Sequence, residues 1–386
     1  MTTSSFESSR QPRGLSRRAV LTAGVGAAAG LAMAGVGAAG AASATPPWWA
    51  KLSSRQQAGQ RIIYSYPGAT VPQSLLDAIE AGVVGGVIFF GENITSLPQI
   101  ASVVAQLRAA QASSPVREPL LLMTDQEGGY IRRLRGQEPV LSEKKIGLAA
   151  DPDAAATAAG VGAAGALRNV GMNLNLAPVL DVFRTPGNFD DQWERSYSSD
   201  PAIAGRLGAE FVRSQQGAGV AATCKHFPGL GAATAKENTD LQVVTLTQSL
   251  SDLRTIDEAA FVPAIAAGTQ LVMTSWATYP ALDTVYPAGL STTIVQGELR
   301  DRLGFDGVTI TDALEAGALT PFGNTGTRAL MAAQAGMDLL LCSGRDMQQG
   351  VDALDAITAA VDDHALNAGS FRQSLRRVQS LRSSLF

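Results

Sequence analysis

Eight short apolar runs punctuate the chain: RIIYSY (61–66), GGVIFF (85–90), PLLLMT (119–124), MNLNLA (172–177), AATCKH (221–226), QLVMTS (270–275), GVTITD (307–312) and MDLLLC (337–342). Between them lie amphipathic or Ala-rich stretches long enough to be crossover helices: Leu97 to Ala110, Ala154 to Ala166, Ala202 to Gln215, Ile294 to Leu303 and Thr327 to Ala335. Alternating strand and helix signals are the pattern of β/α units around a parallel sheet. Eight such repeats predict a (β/α)8 TIM barrel, an α/β fold with a single catalytic domain. A doubly wound open sheet is the alternative, but no Gly-rich dinucleotide fingerprint follows the first run.

In a barrel of this kind the active site sits where strands end and loops begin, so polar residues there are the first candidates. They are Asp125 to Glu127 after the third run, Asp181 after the fourth, Lys225-His226 at the fifth, Trp276 at the sixth and Asp312 at the seventh. Each also has a plain structural reading. Asp312 could cap a following helix, and Asp125 could cap or turn while Gly128-Gly129 lets the backbone bend sharply. Arg133 could be a surface charge, Arg195 could pair with a carboxylate, and Lys225 and His226 could close the barrel. Asp200-Pro201 reads as a helix start. What these residues share is their place at the strand ends.

Composition narrows the function. The 386 residues are 46% hydrophobic, ample for a core, and 30 basic against 34 acidic side chains give a net charge of −4. With no long basic run after the N-terminus, nucleic acid is a poor candidate partner. Residues 1–44 read as a twin-arginine-type signal peptide: Arg17-Arg18 precede an Ala/Gly-rich stretch, and Ala42-Ser43-Ala44 is a small-residue cleavage site. An uncleaved anchor is the alternative, because Ala19 to Ala41 carry no charge. Cleavage leaves no stable membrane span, a linker at 45–50, a domain at 51–386 and a secreted or extracytoplasmic protein. Cys224 and Cys342 are the only cysteines, each in an apolar run, so a disulfide framework and a thiolate metal site are not expected.

The ordered motifs GGVIFFGEN, TDQEGGYIRRL, NLAPVLDV, ERSYSSDP, KHFPGLG, VMTSWATYPALD and LGFDGVTITDAL resemble the single-domain proteins of glycoside hydrolase family 3, the bacterial β-N-acetylhexosaminidases. The resemblance covers roughly residues 51 to 345. It implies a retaining mechanism with Asp312 as nucleophile, sugar contacts from Asp125, Arg133, Arg195, Lys225 and His226, and no metal or organic cofactor. The implied substrate is a terminal β-linked N-acetylhexosamine, as in peptidoglycan or chitin fragments.

One motif departs from the family pattern. Where the family carries an Asp-Ser-His sequence whose histidine is the acid/base, this chain has Lys236, Glu237 and Asn238, and Leu230 replaces an earlier histidine. The only other histidine is His364, near the C-terminus. An amide neither gives nor takes a proton at neutral pH. Glu237, beside the vacancy, is the candidate acid/base, with Asp240 two residues beyond it. Trp276, where many relatives carry histidine, is a candidate face for stacking on a sugar. The alternatives are a weak or inactive glycan-binding protein on the same barrel and a phosphorylase-like transferase.

Overall fold

The computed structural model describes residues 47–386. The signal segment read at 1–44 lies outside the described residues. Each of the eight apolar runs contains a parallel strand: β1 (Ile62–Tyr64), β2 (Gly86–Ile88), β3 (Leu121–Thr124), β4 (Leu174–Asn175), β5 (Ala221–Phe227), β6 (Leu271–Thr274), β7 (Val308–Thr311) and β8 (Leu340–Leu341). They pair in chain order, and β1 pairs with β8 in the register Ile62 to Leu340 and Ile63 to Leu341. A parallel bridge between Ile310 and Leu339 joins β7 to β8 and closes the ring. The fold is a (β/α)8 barrel.

Successive strand residues face opposite ways, which sorts the core into two shells. Ile63, Leu121, Met123, Leu174, Met273 and Ile310 fill the barrel. Ile62, Tyr64, Val87 and Leu122 face outward onto the helices. Those helices are α1 (Gln73–Glu80), α2 (Leu97–Ala112), α3 (Pro152–Asn169), α4 (Pro201–Gly217), α5 (Phe261–Ala266), α6 (Thr293–Arg302), α7 (Thr325–Ala335) and α8 (Met347–Asp362). Several begin as their sequences dictate: Asp151 and Asp200 accept hydrogen bonds from Ala154 and Ala202 N–H at helix starts that carry proline in the first turn. The wide-turned α6 accommodates Glu298, which pairs with Arg254. The segment 45–50, read as a linker, contributes Trp49 to the core.

A further helix, α9 (Ala368–Ser383), stoppers the end of the barrel opposite the strand tips. Phe371, Leu375, Val378 and Leu381 recur at helical spacing, and Val378 and Leu381 join the barrel's inner cluster. Buried Asp338, at the start of β8, holds this helix by accepting from Arg377 Nε at 2.9 Å and Ser374 Oγ at 2.6 Å, and it also pairs with Arg300 at 2.8 Å. Arg382 is fully buried and donates to the Pro119 and Glu118 carbonyls at 2.7 and 2.9 Å. The strand tips at the other end carry the larger of two cavities, and the smaller lies beside α9. Cys224 and Cys342 are buried free thiols, and among the described residues no helix is long and apolar enough to cross a membrane.

If α9 is part of the barrel core, Leu381→Ala should lower unfolding stability by about 2–5 kcal/mol, read as a lower urea midpoint. An unchanged midpoint would mean that the helix merely lies against the barrel.

Candidate active site

The strand tips surround a cavity of about 550 Å³ lined by Asp125, Glu127, Arg133, Arg195, Lys225, His226, Asp240 and Asp312, among others. Asp125 follows β3 directly, and the chain then forms a small hairpin pairing Gln126–Gly128 with Ile131–Arg132. Asp125 and Glu127 alternate with Gln126, so both carboxylates reach the mouth while Gln126 is tied behind them to Asn175 and Leu134. The hairpin turns on Gly128 (φ 128°) and Gly129 (φ 53°), where a Cβ would meet Leu141 O at 2.3 Å and Ser142 Cβ at 2.5 Å. Only glycine fits this bend. The turn returns Arg133 to within 3.4 Å of Asp125.

On β5 two consecutive residues serve the same mouth, because the ladder to β6 shifts register between Cys224 and Phe227. Lys225 Nζ lies 2.9 Å from Asp125 and 2.7 Å from Glu127. His226 Nδ1 lies 2.7 Å from Asp181 Oδ2, and Asp181 Oδ1 accepts the Leu230 N–H at 2.6 Å. Arg195 clamps Glu127 with two hydrogen bonds of 2.8 and 3.0 Å and Asp190 with a third of 2.7 Å. These are the bidentate, charge-assisted contacts in which arginine is strongest.

The charges set one another's protonation. Burial works against ionisation of Asp125, but Lys225 and Arg133 outweigh it and hold the carboxyl well below its ordinary range. Glu127 is likewise held down against burial by Arg195 and Lys225. Asp190 goes the other way: burial outweighs Arg195 and raises it to about 6. His226 is lowered to about 4 by burial and by Arg195, which makes it neutral at ordinary pH.

Asp312 stands apart. It ends β7 half-buried and faces the same cavity, yet no lysine or arginine pairs with it among the described residues. Its one hydrogen bond is from the Ala313 N–H to Oδ1, at 2.7 Å. No α-helix begins there, so capping is not its role; a short helix at Gly317–Phe322 follows instead. Burial raises the carboxyl to about 6, with Asp240 pushing it up and His226 opposing.

Two sequence expectations are corrected. Glu237 is not among the residues lining the cavity; its carboxylate accepts the Thr234 N–H at 2.7 Å within the loop. Trp276 is 1% exposed and offers no face to a sugar. Its Nε1 donates to the Ala313 carbonyl at 2.8 Å, so it supports the segment carrying Asp312. Leu230 and Asn238 do reach the cavity wall. Sequence reasoning put Glu127 and Asp181 at strand ends without giving them partners, and it missed Asp190 and Glu315; the Asp190-Asp191 pair beside Arg195 was the available signal.

Asp181, Asp190 and His226 each place one donor atom within 4.8 Å of the others, the grouping here that could hold a metal. Asp181 and His226 Nδ1 hold each other, Asp181 also accepts backbone N–H groups, and Asp190 Oδ1 is taken by Arg195, whose charge opposes a second cation, while Asp190 Oδ2 is buried without a partner.

A closed parallel barrel with a sugar-sized cavity, ringed by paired charges and, among the described residues, by two carboxylates without a side-chain partner, Asp312 and Asp240, fits a carbohydrate-active barrel hydrolase. The family model of the glycosyl hydrolase family 3 N-terminal domain matches residues 64–381. The chain belongs to this family and is a glycoside hydrolase. It is 46% identical over 331 residues to an uncharacterized secreted glycosyl hydrolase of Arthroderma benhamiae, covering 85% of this chain and 93% of that one. A family 3 β-N-acetylglucosaminidase of a Paenibacillus species superposes with a TM-score of 0.81 at 36% identity, over 86% of this chain and 62% of that one. The chain thus spans about three fifths of that protein's length. The β-N-acetylhexosaminidase of Beutenbergia cavernae gives 0.79 at 33% identity over 86% of this chain and 99% of its own.

Arg195→Ala would leave Glu127 and Asp190 buried without their guanidinium and should cost about 3–5 kcal/mol at pH 8. Asp190, raised on folding, binds its proton more tightly folded than unfolded, so its ionisation costs stability that builds up as pH rises from 3.8 towards about 6 and is fully present above that, and losing Arg195 removes the charge that opposes the upward shift. The gap between the two proteins should therefore narrow between pH 8 and pH 5.5 in urea titrations. A gap independent of pH would contradict this placement of charge.

Proposed function

We propose that this protein is an exported, retaining glycosidase that removes terminal β-linked N-acetylhexosamine from glycan fragments such as those of peptidoglycan or chitin, with Asp312 as nucleophile. The observation that carries the reading is the isolation of Asp312: it faces the cavity, yet the cations around it are occupied by other carboxylates. A carboxylate with no fixed cation keeps more of its charge for attack on carbon. The Ala313 N–H fixes one oxygen and leaves the other free to attack the anomeric carbon.

Asp125, Arg133, Lys225 and His226 line the cavity and grip the hydroxyls of the terminal sugar, while Arg195 positions Glu127 and Asp190 from the same wall. A mouth open at one end suits a chain terminus better than a chain interior. The named activities of the Paenibacillus and Beutenbergia relatives support the amino sugar as substrate. Export is supported by the twin-arginine pattern and by the relative named as secreted.

Asp312→Ala should lower kcat/KM on a nitrophenyl N-acetyl-β-glucosaminide by at least about 10³-fold, and unchanged turnover would remove Asp312 from the mechanism. Because the nucleophile must be ionised, kcat/KM of the unaltered protein should fall by about tenfold per pH unit below about 6. N-acetylglucosamine binding without any turnover would return the glycan-binding reading.

A further inference from the structure

Cleavage of an unactivated glycoside needs a proton delivered to the leaving oxygen, and the groups that line the cavity can be sorted by whether they are free to supply it. Asp125 and Glu127 are held by Lys225 and Arg195. Glu315 accepts from Ser343 Oγ at 2.7 Å and Gln349 Nε2 at 3.0 Å. His226 is buried and engaged with Asp181. Asp240 alone of the cavity's carboxyl groups, besides Asp312, has no hydrogen bond or ion pair to its carboxylate among the described residues.

The loop holds Asp240 in place through its backbone. The Gly317 N–H donates to the Asp240 carbonyl at 2.8 Å, and the Ala318 N–H donates to the Thr239 carbonyl at 3.0 Å. A Cβ on Gly317 would lie 2.4 Å from the Leu241 carbonyl carbon, so the two segments touch because residue 317 is glycine. Gly317 belongs to the segment that leaves β7 through Asp312. Asn238 has a part as well: its Oδ1 accepts the Asp240 N–H at 2.8 Å and fixes the turn that presents Asp240 to the cavity.

We propose that Asp240 is the general acid and base of this enzyme. The proposal rests on Asp312 being the nucleophile. As the Asp312 carboxylate bonds to the anomeric carbon, the bond to the leaving oxygen breaks, its electron pair goes to that oxygen, and the Asp240 proton goes with it. In the second half, water attacks the anomeric carbon, the ester bond to Asp312 breaks with its pair returning to the carboxylate, and the water proton passes to Asp240.

The surrounding charges favour this order. Asp240 is exposed at the cavity rim, where partial desolvation raises its carboxyl, Arg195 opposes this, and Glu315, Asp125 and Asp190 add to it. Asp312 has Lys225 and the Ala313 N–H on the side of ionisation, while His226 is neutral where Asp312 titrates. The two carboxyls repel, so an ionised Asp312 favours the protonated form of Asp240. Esterification removes that charge, and Asp240 can then ionise and act as base.

The test compares the full protein with Asp240→Asn, Asp240→Ala, Glu237→Gln and Asp312→Ala on N,N′-diacetylchitobiose and on a dinitrophenyl N-acetyl-β-glucosaminide. Asp240→Asn should lose about 10²- to 10⁴-fold on the disaccharide and keep a rapid burst of dinitrophenol. Its alkaline limb should vanish. Azide should restore turnover of the aryl substrate by Asp240→Ala with formation of the β-glycosyl azide, while Glu237→Gln stays like the unaltered protein. Equal losses on both substrates, no loss on the disaccharide, no azide product, or an unaltered protein no faster than Asp240→Asn on the disaccharide would each overturn the assignment. An Asp312→Ala protein that still gives the burst would instead overturn the nucleophile on which it depends.

Discussion

The site depends on the buried alternation of charge that runs Asp125, Lys225, Glu127, Arg195, Asp190 across the barrel mouth. Ions removed from water are costly unless each finds partners of opposite charge in good geometry, and here each contact lies between 2.7 and 3.0 Å. The network satisfies these charges without involving Asp312. A lysine or arginine paired with that carboxylate would stabilise its charge and blunt its attack. Instead the residue is left to the Ala313 N–H, with Trp276 holding the Ala313 carbonyl from behind.

The loop from 225 to 240 makes the second half of the account. Its first residues supply the network's lysine and the histidine tied to Asp181, and its last supplies a carboxyl facing the same cavity. Asn238 does not carry protons in the position where the family pattern has histidine; it shapes the backbone that presents Asp240. The loop thus carries an amide, which accepts the Asp240 N–H, where the family pattern has a proton-transferring histidine.

Much of the barrel was legible in the sequence because strands buried on both faces appear as compact apolar runs, and all eight runs contain strands. The helices α1, α5, α8 and α9 do not stand out in that alternation. α5 is a single short stretch in a helical segment of changing pitch, and the function of α9 as a stopper depends on the distant Asp338. At the site, strand-end position identified Asp125, Lys225, His226 and Asp312. It could not tell Glu237 from Asp240, because which carboxylate of a loop turns inward is decided by contacts such as Gly317 N–H to Asp240 O, made to a segment far along the chain. Trp276 was misread for the same reason: an indole at a strand end can face the ligand or the next loop, and here its N–H found the Ala313 carbonyl.

The central claim is that Asp312, kept out of the charge network, is the atom donor to the covalent bond. A 5-fluoro N-acetylglucosaminyl fluoride slows the second step more than the first and lets the glycosyl-enzyme accumulate for mass spectrometry of its proteolytic peptides. The account predicts one added sugar, on the peptide containing Asp312 and at that residue. A sugar attached to Asp125, Glu127 or Asp240, or a protein that hydrolyses substrate while never acquiring the added mass, would contradict it.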